Sequence, residues 1–297
     1  MIKVSVITDE ITQDFERALE IAEAHGVHHV ELRGLWGTNI ADLNDDQVAR
    51  ALALLEKRGM SVVAIAGPVF KCHLSDELKG GGGDTFGHSS DATIEEHLEV
   101  LERTCRMAKA FGTELVRTFA FWRAGEPTPE IYDAIEHHLR EALRRTEAHG
   151  LKLVLENEHA CFIGTSGESV EILRRIASPS LGLIWDPGNA AILESPASVY
   201  PGGYERIKAE VGVERIMHVH LKDPVTTQTG VRFTEFGKGE IDYRGQLAAL
   251  VRDGYQGAVS METHWNEPGM SKEEATSLCL DGLWRVIEEA GVRSSYC

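Results

Sequence analysis

Four apolar runs in the second half of the chain each stop on a residue able to bind a metal ion. LVLE ends on Glu156, LIWD on Asp186, MHVH on His220 and VSME on Glu262. Three carboxylates brought together without a cation would repel, because like charges a few ångströms apart raise one another's pKa; a divalent ion removes that difficulty. Taken singly, each residue has a plainer reading, as a strand cap, a loop hydrogen-bond acceptor or a histidine filling a wall. As a set they demand a fold that brings together positions tens of residues apart. The stretch IMHVHLKD adds a pattern of its own, since His218, His220 and Lys222 alternate with Met217, Val219 and Leu221. That period of two describes a strand with one basic and one apolar face.

The elements around these residues alternate along the whole chain. Strands are predicted at 4–8, 29–32, 61–66, 114–120, 151–156, 181–186, 215–220 and 258–262. Helices are predicted at about 14–25, 45–58, 93–110, 129–148, 168–177, 198–210, 244–252 and 272–290, where apolar residues recur every three or four positions, as in Phe15, Ala18, Leu19 and Ala22. Eight strand–helix units imply a parallel sheet closed into a single (β/α)8 TIM barrel, an α/β fold whose strand ends share one rim where active sites are built. An open doubly wound sheet is the alternative, but its early glycine-rich dinucleotide loop is missing. No linker divides the chain, so one domain is expected over 1–297. Gly67 to Ser90, which includes KGGGGDTFG, reads as a long mobile loop, either a lid or surface slack. Its glycines lack the following Lys-Ser/Thr of a phosphate-binding P-loop.

Composition narrows the class. With 42% hydrophobic and 26% charged residues the chain can bury a core. It has no apolar run near the ~18 residues that span a bilayer, and MIKVSVITDE lacks the pattern of a secretory signal, so a cytoplasmic protein without a membrane partner is expected. Five cysteines without a C-x-x-C pair suggest neither disulfides nor a zinc knuckle. Thirty basic against 47 acidic residues, a net charge of −17, argue against nucleic acid.

The order and spacing of VITDE, VELRG, LENEH, LIWDPGN, HVHLKD, FGKGEID and METH resemble the xylose isomerase-like, or AP endonuclease 2-like, TIM barrels, which include sugar phosphate isomerases and epimerases. The resemblance implies one divalent metal ion (Mn, Zn, Co or Mg) held by Glu156, Asp186, His220 and Glu262. It also implies that Glu156 and Glu262 are the catalytic pair, one removing a proton next to a carbonyl and the other returning one through a metal-stabilised enediolate. His218, one pleat deeper, is then a supporting or filling residue. Lys222 reaches the mouth, either to meet substrate oxygens or to pair with Asp223 or another rim acid. Asn189, three past Asp186, is a substrate contact where family epimerases carry a histidine, a departure that argues for one metal rather than three. Thr226 stands where those epimerases place a substrate-gripping arginine, and Arg232 is the substitute. His264, with Glu158 and His159, would line the rim. Gly237-Lys238-Gly239 could wrap a phosphate, yet the same turn occurs in relatives with unphosphorylated substrates.

The expected function is therefore a metal-dependent isomerase or epimerase acting on a small carbohydrate or polyol ketone, phosphorylated or not. The alternatives are a lyase or dehydratase on a keto-sugar, inosose or keto-glycoside, and a ligand-binding barrel without turnover. A homodimer or homotetramer is implied by the resemblance alone.

Overall fold

The structure, a computed structural model, describes residues 1–79, 82, 83, 85, 87, 88 and 91–293. Eight strands form a closed parallel barrel: β1 (Lys3–Ile7), β2 (His29–Leu32), β3 (Ser61–Val69), β4 (Leu115–Thr118), β5 (Lys152–Glu156), β6 (Leu181–Trp185), β7 (Ile216–Leu221) and β8 (Ala258–Met261). Each pairs with its sequence neighbours, and β1 closes the ring against β8. Around them lie α1 (Phe15–Ala24), α2 (Asp45–Arg58), α3 (Ile94–Phe111), α4 (Pro129–Ala148), α5 (Ser166–Arg175), α6 (Tyr204–Val211), α7 (Tyr243–Arg252) and α8 (Lys272–Glu289). The TIM barrel read from the alternation of strands and helices is the observed fold.

Local sequence explains where the helices start and stop. Asn44 with Gln47, Thr93 with Glu96 and Thr165 with Glu168 form reciprocal capping boxes at the heads of α2, α3 and α5. Gly59 and Gly112 end α2 and α3 at φ of 61° and 72°, a left-handed conformation that costs glycine little.

Three differences from the sequence reading bear on the site. β3 runs on to Val69, while β4 stops at Thr118. Beyond β4, the Phe119 and Phe121 N–H groups still bond to Val69 and Phe70 carbonyls, so the wall continues irregularly towards Trp122. The helix predicted at 198–210 begins only at Tyr204; a short helix, Pro187–Leu193, intervenes directly after β6. Two antiparallel hairpins were not predicted: Gly34–Leu35 with Thr38–Asn39, and Asp223–Thr227 with Gly230–Thr234. The expected mobility of the 67–90 loop falls partly on residues outside those described.

Candidate metal centre

β7 carries His218 and His220 on its inner face, both fully buried. The reason for burying two imidazoles lies across the barrel, on β2. Glu31 accepts from His218 Nε2 at 2.8 Å and from His220 Nε2 at 3.1 Å. Room for the pair comes from small neighbours: the register aligns Ser5, Ser260 and His220 across β1, β8 and β7, and Ser260 Oγ lies 2.9 Å from His218 Nε2. Burial alone would raise the Glu31 carboxyl, but His220 and His218 hold it well below the usual range.

With its Nε2 so engaged, His220 turns Nδ1 toward the rim, where that atom has no hydrogen-bond partner. It faces Glu156 Oε1 at 3.4 Å, Glu262 Oε2 at 3.6 Å and Asp186 Oδ2 at 3.9 Å. One donor atom from each of Glu156, Asp186, His220 and Glu262 lies within 4.8 Å of all the others. Donors about 2.0–2.2 Å from one ion lie no more than ~4.4 Å apart, so a small closure would let all four share a cation. An imidazole oriented by a carboxylate through its other nitrogen is the usual support for a metal-binding histidine. Burial lowers the His220 pKa, and Glu31 and Glu156 more than reverse this, so a cation binding at Nδ1 would displace a proton. The donor set fits a divalent ion.

Each member is held from behind. Asp186 caps the short helix Pro187–Leu193, its Oδ1 accepting from Asn189 N–H at 2.8 Å. Its main chain is clamped by Asn157, whose Oδ1 accepts from Asp186 N–H and whose Nδ2 donates to Asp186 O, both at 2.8 Å. Burial pushes the Asp186 carboxyl up to about 6, with Lys222 opposing. Glu156 accepts from Arg117 Nη1 at 2.8 Å and from Asn189 Nδ2 at 3.3 Å. Burial would raise its carboxyl, but His220 and Arg117 bring it below the ordinary range. Glu262 accepts from Arg33 Nη1 at 3.1 Å, and Arg33 also holds Asp9 at 2.9 Å and Glu10.

Lys222 settles among these acids. Its Nζ bonds to Asp186 Oδ2 at 2.5 Å and to Glu262 Oε2, not to Asp223. Burial disfavours its charge, but Asp186 and Glu262 raise its pKa. Gly188 makes the room, since a Cβ there would sit 2.5 Å from Lys222 Cγ. Asp223 instead accepts from the Gly237 and Gly239 N–H groups at 2.9 and 2.8 Å.

Above the quartet is a cavity of about 290 Å³, walled by Phe119, Trp122, Lys71, Glu158, His159 and the two glutamates. Gly82 and Gly83 of the glycine run also line it. His264 stands half-exposed at its edge, Nε2 3.5 Å from Glu262 Oε1. Asn189 is buried and committed to Glu156 and to the Asn157 carbonyl. Arg232 lies apart, exposed on the second hairpin and paired with Glu267 at 3.0 Å. Sequence reasoning passed over Glu31, Arg33, Arg117, Lys71, Asp9 and Glu10. A signal existed for two of them: in VELRG, Glu31 and Arg33 share one strand face, as His218, His220 and Lys222 do.

Comparison with known proteins agrees with this architecture. The family model described as xylose isomerase-like TIM barrel matches residues 19–279. A curated relative, the probable L-ribulose-5-phosphate 3-epimerase UlaE of Mycoplasma pneumoniae, is 20% identical over 166 residues, 56% of this chain and 51% of its own. The chain thus spans about half the length of that relative. Among solved structures, the IolI protein with a bound zinc atom is 19% identical with a TM-score of 0.71, over 97% of this chain and 99% of that one. The probable 3-DHS dehydratase AsbF of Bacillus anthracis is 19% identical with a TM-score of 0.69, over 95% and 98%. At these identities the two structures establish likeness of fold.

Proposed function

Since the chain belongs to the xylose isomerase-like TIM barrel family, we propose that it is a divalent-metal-dependent isomerase or epimerase that removes a proton next to the carbonyl of a sugar or polyol ketone. The observation that carries this reading is the buried quartet, in which Glu156 and Glu262 both face the cavity from strands separated by β6 and β7. A cation held by Glu156, Asp186, His220 and Glu262 would supply Lewis-acid stabilisation for the negative charge that develops on the substrate's oxygens, worth several kcal/mol. The remaining work falls to the chain. Arg117 and Asn189 fix Glu156, and Arg33 fixes Glu262, so that two carboxylates flank the bound carbon with little freedom to turn. One takes the proton and the other delivers a proton to the opposite face, giving epimerisation; return to the neighbouring carbon by one group gives isomerisation. Phe119 and Trp122 exclude water from one side. Lys222, between Asp186 and Glu262, can reach a substrate oxygen when an ion takes over those carboxylates.

The test is deuterium uptake in D₂O by metal-loaded protein over a panel of ketoses, inososes and keto-glycosides. Deuterium in recovered substrate or isomer is expected, and Glu156→Gln and Glu262→Gln should each lower its uptake by at least ~10²-fold, the usual cost of losing a positioned general base. Release of water or an aglycone would reveal a lyase, and no exchange with any member would contradict proton abstraction.

A further inference from the structure

We infer that the cavity takes an uncharged polyhydroxy ketone rather than a sugar phosphate, an assignment that rests on the proposed reading of the site. The charges of the interior are already committed. Arg117 is engaged by Glu156, Arg33 by Asp9, Glu10 and Glu262, and Lys71 by Glu158 at 3.6 Å, while Lys222, bridging Asp186 and Glu262 until an ion takes them over, is then spoken for by the ketone oxygens of the proposed reading. Every one of these cations is less than a tenth exposed and already faces a carboxylate. A phosphate entering here would meet Asp9, Glu10 and Glu158 on the cavity wall, and like charges so placed repel it.

The two places outside the interior where such barrels hold phosphate are also spoken for. The backbone nest at Gly237 and Gly239 is filled by the chain's own Asp223 carboxylate, and Lys238 is turned onto Glu235 at 2.6 Å. A Cβ on Gly239 would lie 2.0 Å from Asp223 Oδ1, so the glycine is there to admit that carboxylate. At the head of α8, Lys272 stands exposed at the cavity mouth, but the first turn also carries Glu273 and Glu274, and Glu10 lies against the same opening. Residues 80, 81, 84, 86, 89, 90 and 294–297 add no lysine or arginine to the sequence.

What the walls offer suits hydroxyl groups. The Glu158 carboxylate accepts hydrogen bonds, and His159 Nδ1 lies 2.7 Å from it. Phe119 and Trp122, both fully buried, back one side of the cavity, with Lys71 Nζ 4.4 Å from the Phe119 centroid. A small cavity with convergent polar groups is the usual form of a small-molecule site.

Calorimetric titration of metal-loaded protein with matched pairs tests this: D-fructose against D-fructose 6-phosphate and L-ribulose against L-ribulose 5-phosphate. At least one free ketose should bind ~10-fold or more tightly than its ester, a difference of about 1.4 kcal/mol. Equal or tighter binding of both esters overturns the assignment, as does failure of every free ketose to bind. Deuterium uptake is followed in the same samples. Binding of a free ketose without exchange contradicts the proton-abstraction reading and leaves the substrate class standing; exchange confined to the esters does the reverse. A second variant probes the cause. Glu158→Gln, which takes the carboxylate from Lys71, should tighten ester binding ~5-fold or more, and unchanged ester affinity would show that committed cations are not what excludes phosphate.

Discussion

Charge is handled in opposite ways at the rim of the barrel and on its outer helices. Around the barrel, pairs such as Arg174 with Glu210 at 3.2 Å keep side chains 61% and 40% exposed. Solvent screens such pairs, and each is worth about 0–1 kcal/mol. At the rim, Arg33 and Glu262 lie 3.1 Å apart at 4% and 5% exposure, and Arg117 and Glu156 lie 2.8 Å apart at 1% and 2%. Taking charges out of water carries a desolvation cost of several kcal/mol per ion, which well-packed apolar residues would avoid. The fold does not need these charges in order to close its barrel. Their persistence in the one place where four strand ends meet is the strongest internal sign that the rim is a site of chemistry.

This contrast can be broken at three points, in order of size. Arg117→Met should be the most damaging, because it leaves Glu156 buried without its partner and strips donors from the Ala66 and Gly67 carbonyls. A loss of ~3–5 kcal/mol in denaturant unfolding is expected for metal-free protein, the range for a buried pair broken on one side. A loss below about 1 kcal/mol would make the rim pairs equivalent to the surface ones.

His97 gives the next effect and lies away from the quartet. It is 1% exposed on α3, its Nδ1 accepting from Phe70 N–H at 3.0 Å, and burial lowers its pKa to about 4. The unfolded chain protonates this ring near 6.5 and the folded chain only near 4, so the unfolded state binds more protons throughout that window. Stability present above pH 6.5 should therefore fall by about 3 kcal/mol as pH drops to 4. Urea melts across that range, compared with His97→Gln, check it: the fall between 6.5 and 4 should be smaller in the variant by about that amount. The smallest effect belongs to Arg174→Ala, which should shift stability by no more than ~0.5 kcal/mol and leave metal binding unchanged.

The same contrast explains what could be read from the sequence. Strand–helix alternation made the barrel legible, and the four residues of the quartet stood out because each closes an apolar run with a ligand-type side chain. Glu31, Arg33 and Arg117 were not legible as a supporting layer. Their partners lie on other strands, and which inner-face residues meet across a closed barrel depends on register and shear rather than on spacing along the chain. The role of Asp223 was hidden for a related reason, since its partners are backbone N–H groups that no side-chain pattern announces. The second hairpin escaped because its strands are short, one carrying Pro224 at its second position and the other opening on Gly230, and Arg232, reached by homology of position, lies on it facing Glu267 instead of the cavity.

The central claim is that the quartet binds one divalent ion. Equilibrium dialysis with Mn²⁺ or Zn²⁺, followed by a crystal structure with anomalous data from the same ion, tests it directly. One ion per chain is predicted, about 2.0–2.2 Å from Glu156, Asp186, His220 and Glu262, with Lys222 released from the carboxylates it now bridges. A chain that takes up no ion, or that holds one elsewhere while these four side chains remain as they are, would contradict the account.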